Sequence, residues 1–158
     1  MANTQSMCTS FMGELFTATH NFGASPTRAG ATADTFKAAL YLTSATINAA
    51  TTAYTVTGEV SGTNYSAGGV TVTNATAPLA TNSSPTAGVA YWTPSASITY
   101  TTVTLSTAFD TVLIYNSTQS DKAVSVHTFG SQTITAGTFT LTMPSNTTST
   151  GLLRLATT

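Results

Sequence analysis

Short runs of apolar and hydroxyl residues recur along the whole chain, and this recurrence limits the possible folds more than any other feature of the sequence. Roughly nine or ten such runs follow one another at intervals of about eight to twelve residues, with almost no helical pattern between them. Gly, Pro and Asn residues separate the runs, as is typical of turns. The spacing predicts an all-β protein, an antiparallel β-sandwich or jelly-roll-like fold, with residues 31–158 forming a single domain.

The runs predict strands that are buried to different degrees. Residues 35–42 are an apolar run of strand length in which only Lys37 is charged, and they predict a core strand. Residues 109–116 are apolar on both faces, which indicates a central, covered strand. Residues 54–57 alternate with period two and are interpreted as a half-buried strand. In residues 98–105 the apolar positions change phase near Thr101, which predicts a β-bulge there.

The second half of the chain is typical of hairpins. A polar turn at residues 117–121 separates residues 109–116 from a run at 123–130, which predicts one hairpin. Ala136-Gly137 is interpreted as the turn of a second hairpin, between strands at 132–135 and 138–143. Other strands are predicted at residues 69–74, 89–92 and 152–155, and an exposed loop at residues 75–85.

Residues 1–30 are interpreted as an N-terminal arm with one short helix at residues 10–16. Ser10 is suited to cap this helix, and Phe11, Met12, Leu15 and Phe16 fall on one face at helical spacing. Two interpretations of the apolar face remain open. It packs against the β core of its own chain, or it forms an assembly interface that grips a neighbouring subunit.

Charged residues are scarce, and this limits the classes of partner. They make up 6% of the chain, with four Lys or Arg, five Asp or Glu and a formal net charge of −1. A chain without a basic field is not expected to bind free nucleic acid or an anionic membrane surface. The apolar runs are also shorter than a membrane-spanning helix requires, and the N-terminal residues do not resemble a secretory signal, so we expect synthesis in the cytoplasm.

The residues that could perform chemistry do not form a recognised pattern. The chain has two histidines, His20 and His127, five dispersed carboxylates and a single cysteine, Cys8. No Gly-x-Ser-x-Gly motif frames a serine, and the dispersed ligands do not indicate a metal centre. We therefore predict that the protein is not an enzyme, and that it has no catalytic residue, metal site or cofactor.

The aromatic residues Tyr91, Trp92 and Tyr100 suggest one binding site. Flat rings offer a large contact area at low entropic cost, so these three could form a platform for a sugar or a protein partner. The alternative is that they belong to the core of the sandwich.

The scarcity of charge also bears on assembly. Soluble β proteins usually guard their edge strands with charged residues, and this chain has too few to do so extensively. This favours a protein whose surface is occupied by neighbours, including copies of itself in a dimer or trimer.

Several segments carry a resemblance to a known family. DTFKAALYLTSATI, TTAYTVTGEVSGTNYSAGGVTVTN, AYWTPSASITYTTVTLSTAFDTVLIYN, KAVSVHTFG and ITAGTFTLTMP together resemble small virion proteins of tailed bacteriophages, over residues 10–155. The resemblance implies a structural component of the particle and carries over no catalytic residue. Within this group the chain is most like a capsid decoration, or cement, protein. The resemblance implies a place on the capsid exterior and binding to the major capsid protein. The alternatives are a tail-associated receptor- or glycan-binding module and a tail-tube or adaptor protein.

Overall fold

The computed structural model describes residues 2–22, 32–73, 79–81 and 88–156. The described chain is mostly β-strand with one short helix, and every strand pairing is antiparallel, which confirms the predicted all-β class. The elements in chain order are β1 (Ser6–Met7), α1 (Thr9–Phe16), β2 (Phe36–Leu42), β3 (Val70–Val72), β4 (Leu79–Thr81), β5 (Val89–Trp92), β6 (Ile98–Asn116), β7 (Lys122–Leu141) and β8 (Leu153–Ala156).

The strands form two sheets. The larger has the order β1-β7-β6-β2-β3, and the smaller has the order β4-β5-β8. The N-terminal segment is part of the larger sheet, because Ser6 and Met7 pair with Val126 and Ser125 of β7.

The long hairpin β6–β7 bends back on itself. Ile98 and Leu141, which pair at its far end, line a cavity together with Val112 and Ile114 from its near end. A straight strand would place Ile98 roughly 50 Å from Ile114, so the hairpin must fold over. The bend coincides with a series of register shifts between Tyr100 and Thr111, and β-bulges of this kind bend strands and increase their twist.

The near half of the hairpin is covered on both faces, as predicted. Residues 111–116 of β6 are all buried. On one face the ring of Tyr54 stacks on Tyr115 with centroids 4.8 Å apart. On the other face, Phe36 stacks on Phe22 at 4.4 Å and Trp92 closes over Phe22 at 4.8 Å.

A glycine lets the segment before β3 approach β2. Gly69 has a φ of +70°, and a Cβ built there would lie 1.7 Å from the carbonyl oxygen of Ala38. Only glycine fits this contact, because any side chain would meet backbone atoms in a conformation that L residues rarely adopt.

Two predicted elements are wrong. Residues 54–57 form no strand: Tyr54 and Thr55 are held by side-chain contacts, and Val56 is 70% exposed. Ala136-Gly137 is not a hairpin turn, because β7 runs without interruption through it and Gly137 pairs with Val103 of β6. Ala136 has a φ of +46°, so the glycine-containing pair marks a bulge rather than a reversal of the chain.

The predicted bulge near Thr101 is confirmed. The register shifts between Tyr100 and Val103, and Thr102 has a φ of +55°. The predicted loop at residues 75–85 contains β4 at Leu79–Thr81, and its other residues lie outside the described part of the chain.

Candidate functional site

Helix α1 is attached to the sheet by its first turn. Its N-cap is Cys8, not Ser10 as predicted, and the Ser10 hydroxyl is buried without a hydrogen-bond partner in the described structure. The backbone N–H of Cys8 donates to the Val124 carbonyl at 3.0 Å. Burial raises the pKa of the Cys8 thiol to about 11, so this cysteine is an unreactive part of the core.

The apolar face of α1 divides into two parts. Phe11 is buried in the core and Leu15 packs against it, whereas Met12 is 43% exposed and Phe16 is 94% exposed. Successive helical residues are turned by about 100° around the axis, so Phe11 and Leu15 can face the sheet while Met12 and Phe16 face outward.

Met12 and Phe16 form an exposed apolar patch, here called the α1 patch. The two residues are one turn apart and therefore neighbours on the helix surface. The described chain exposes four large hydrophobic residues, and the α1 patch contains two of them; of the others, Val56 lies between β2 and β3 and Leu155 lies in β8.

The aromatic residues of the predicted platform do not form a common surface. Trp92 is buried against Phe22 and Phe36, and the buried ring of Tyr100 stacks on Tyr65 at 5.9 Å. Tyr91 is partly exposed in β5. Trp92 and Tyr100 therefore belong to separate parts of the core.

A buried polar network joins the N-terminal segment to the sheet, and the sequence pattern did not indicate it. The His20 ring nitrogen Nε2 lies 2.7 Å from Glu14, and Nδ1 lies 3.0 Å from the side-chain amide of Asn116. The same amide donates to Asp34 at 2.7 Å, and Lys122 donates to Glu14 at 2.6 Å. These contacts assign the His20 tautomer, because Nδ1 accepts from Asn116 and Nε2 therefore carries the proton.

The charges of this network follow from its burial. The His20 side chain is fully buried, and this burial lowers the pKa of His20 although Glu14 and Asp34 act in the opposite direction. Burial alone would raise the pKa of Glu14, but hydrogen bonds from Lys122 and His20 outweigh it and lower that pKa. The folded protein thus holds a neutral His20 beside an ionised Glu14.

A second network surrounds Glu59. Its carboxylate accepts hydrogen bonds from the Tyr54 and Tyr65 hydroxyls at 2.7 and 2.8 Å and from the Gly68 backbone N–H at 2.8 Å. The Tyr115 hydroxyl donates to the Gly68 carbonyl at 2.8 Å. Burial and the nearby carboxylate raise the pKa of Tyr65, so the hydroxyl stays protonated and donates. This network anchors the segment between β2 and β3 to the sheet.

Ser125 and His127 form a pair that resembles part of a catalytic group. The Ser125 hydroxyl lies 2.9 Å from His127 Nε2, beside a cleft of about 350 Å³. Burial lowers the pKa of His127 to about 4. Ser125 is itself buried, and no carboxylate contacts His127 in the described part of the chain, so the pair lacks the third group that orients a catalytic histidine.

The described residues contain no group of three or more His, Cys, Asp or Glu side chains placed to bind a metal ion. None of the helices in the described ranges is long and apolar enough to span a membrane. Comparisons with protein-family models, with curated proteins and with solved structures gave no match.

Proposed function

We propose that this chain is a structural subunit of a bacteriophage particle, a capsid decoration protein that binds the outside of the head lattice. The observation that carries the proposal is the α1 patch. A fully exposed Phe16 beside a half-exposed Met12 leaves apolar surface in water, and such patches mark contacts with a protein partner.

The α1 patch suits a lattice partner because its strength is modest. Burying a Phe side chain contributes about 1.5–3 kcal/mol, which is too little for a stable complex between two single molecules. Many copies bound around one shell can nevertheless stabilise it, since each contact adds to the others. The scarcity of charge supports the same proposal, because uncharged surfaces can pack closely without desolvating ions.

The proposed partners are the major capsid protein and other copies of this chain, and the proposed location is the capsid exterior after synthesis in the host cytoplasm. The resemblance to small virion proteins is the reason for choosing a capsid among the possible lattices. A tail-associated sugar-binding module has less support, because Trp92 and Tyr100 are buried. No observation favours a tail-tube or adaptor protein.

Co-sedimentation with phage heads that lack the protein tests this proposal. We expect wild-type protein to bind the heads. The double variant Met12→Ser, Phe16→Ser should bind them with an affinity lower by about tenfold or more. Val56→Ser is the matched control, because it removes an apolar side chain that is 70% exposed elsewhere on the surface. Failure of wild-type protein to bind would refute the proposal, as would equal binding by the double variant.

A further inference from the structure

A cleft lies where the N-terminal segment, β7 and the start of β8 meet. Residues 5–7, 125–127 and 151–154 line it, and its volume is about 350 Å³. Because β1 and β8 are edge strands of their two sheets, the cleft opens between the sheet edges. It is here called the Arg154 cleft, and its volume falls within the roughly 300–1,000 Å³ that is typical of small-molecule sites.

Arg154 gives the cleft a positive charge that no acidic side chain of the protein neutralises. None of the five Asp and Glu residues lines the cleft, and Arg154 makes no ion pair within the described ranges. Its Nε donates to the Thr148 carbonyl at 2.7 Å, which orients the guanidinium. The remaining N–H groups of the guanidinium have no hydrogen-bond partner among the described residues. Arg154 can therefore bind an anion through its terminal nitrogens.

His127 adds an uncharged donor to the same cleft. The buried Ser125 hydroxyl lies 2.9 Å from Nε2 and has no other partner in the described structure. A buried hydroxyl needs an acceptor for its proton, so Ser125 donates to Nε2 and the ring proton lies on Nδ1. Since burial lowers the pKa of His127 to about 4, the ring is neutral at pH 7. Nδ1 has no partner in the described part of the chain, which leaves this N–H available to a ligand.

The rest of the lining selects the kind of anion. Met7, Leu152 and Leu153 contribute apolar side chains, and Gln5 and Ser6 are uncharged. A ligand that complements the cleft therefore combines a single negative charge with an apolar body. A sulfate or phosphate ion offers nothing to the apolar side chains, whereas a carboxylate matches the planar fork of an arginine.

We propose that the Arg154 cleft binds a small organic carboxylate, with its charged group on the Arg154 guanidinium and its apolar body against Met7 and Leu152. A carboxylate accepts two parallel hydrogen bonds from an arginine, and such bonds are roughly twice as strong as neutral ones. Because Thr148 already holds the guanidinium, little side-chain freedom is lost on binding. This inference does not depend on the proposed function.

Benzoate is the probe that tests the inference, and benzamide is its neutral match. In an NMR titration of the whole chain, benzoate should bind with a dissociation constant of about 1 mM or lower. The largest shifts should fall on the His127 ring and on the backbone amides of residues 151–154. Benzamide has nearly the same shape without the charge, so it should bind about tenfold more weakly or worse.

Substitutions at Arg154 locate the bound carboxylate. Arg154→Gln should raise the dissociation constant for benzoate about tenfold or more, and Arg154→Lys should give an intermediate value, because lysine keeps the charge but not the fork. Lys37→Gln is the matched control, since it removes one positive charge from β2, outside the cleft. It should change the dissociation constant by less than about twofold. Arg154 is exposed, so its substitution should leave the fold intact.

Three outcomes would overturn the inference. Benzoate that causes no saturable shift at residues 125–127 or 151–154 would show that the cleft takes no ligand of this class. Equal affinities for benzoate and benzamide would show that the charge is not recognised. Wild-type affinity in Arg154→Gln would place the bound benzoate elsewhere on the protein.

Discussion

Asn116 is the residue through which the buried network can be tested most sharply. Its side-chain amide uses both hydrogens, one to Asp34 at 2.7 Å and one to His20 Nδ1 at 3.0 Å. Asn116→Asp keeps the shape of the side chain but replaces this donor with an oxygen. The variant therefore loses two buried hydrogen bonds and places a second carboxyl beside Asp34.

The expected loss can be worked from these contacts. A hydrogen bond to a charged group contributes about 1.5–3 kcal/mol and a neutral one about 0.5–1.5 kcal/mol, so the two together give roughly 3 kcal/mol before any repulsion. This is a large part of the roughly 5–15 kcal/mol by which most domains are stable. With a urea m-value of about 2 kcal/mol/M, the unfolding midpoint should fall by about 1.5 M or more.

Asn48→Asp is the matched control. The Asn48 side chain accepts from the Ala50 backbone N–H through its oxygen, and a carboxylate retains that bond. We expect a change within about 0.5 kcal/mol. A loss below about 1 kcal/mol for Asn116→Asp at pH 7 would refute the network as described.

Acid provides a second test of the same variant. The new carboxyl lies beside Asp34, so its pKa in the folded state should exceed its value in the unfolded state. The folded state then binds the proton more tightly, and the deficit relative to wild type should shrink as the pH falls. A deficit that grows on acidification would contradict this reasoning.

Three further predictions concern His127, Gly69 and Gly13. Burial lowers the pKa of His127 to about 4, so between about pH 6.5 and pH 4 the unfolded state holds a proton that the folded state does not. The free energy of unfolding should therefore fall by about 2 kcal/mol from pH 7 to pH 5. Urea titrations should show a smaller fall for His127→Gln. Gly69→Ala should lower the free energy of unfolding by about 2 kcal/mol or more, because its Cβ meets the Ala38 carbonyl at a φ of +70°; an unchanged thermal midpoint would contradict the close approach. Gly13→Ala should instead raise the free energy of unfolding by about 0.5–1 kcal/mol, because a Cβ added at Gly13, in the middle of α1, would meet nothing within 4 Å. A loss of stability measured by calorimetry would show an unrecognised contact.

The sequence predicts well those elements whose burial is set by local pattern. The strand at residues 109–116 is apolar on both faces because both faces are covered, and the phase change near Thr101 corresponds to the bulge at Thr102. The predicted strand at residues 54–57 is wrong because its alternation has another cause. Tyr54 is placed by its hydrogen bond to Glu59 and its stacking on Tyr115, and such distant contacts leave no mark on local periodicity.

The Ala136-Gly137 error has a different origin. A turn and a bulge both favour residues that adopt positive φ, so the dipeptide alone does not distinguish them. The partner residue Val103, on the other strand of the hairpin, decides between the two. The pairing of β6 and β7 shifts register on both sides of Val103. The dipeptide is therefore accommodated as a bulge, and β7 continues instead of reversing.

The candidate sites show the same division between local and distant information. The spacing of α1 identified its four apolar residues, but contacts with distant parts of the chain place Phe11 inward, against His20 and Phe22, and leave Phe16 exposed. The network of Glu14, His20, Asp34, Asn116 and Lys122 contains hydrogen bonds between residues up to 108 positions apart. No local signal could have predicted it.

Quantitative mass spectrometry of separated heads and tails tests most directly the proposal that this chain is part of a phage head. Under this proposal, purified heads contain many copies of the chain and tails contain essentially none. Its presence in tails alone, or its absence from purified particles, would contradict the account.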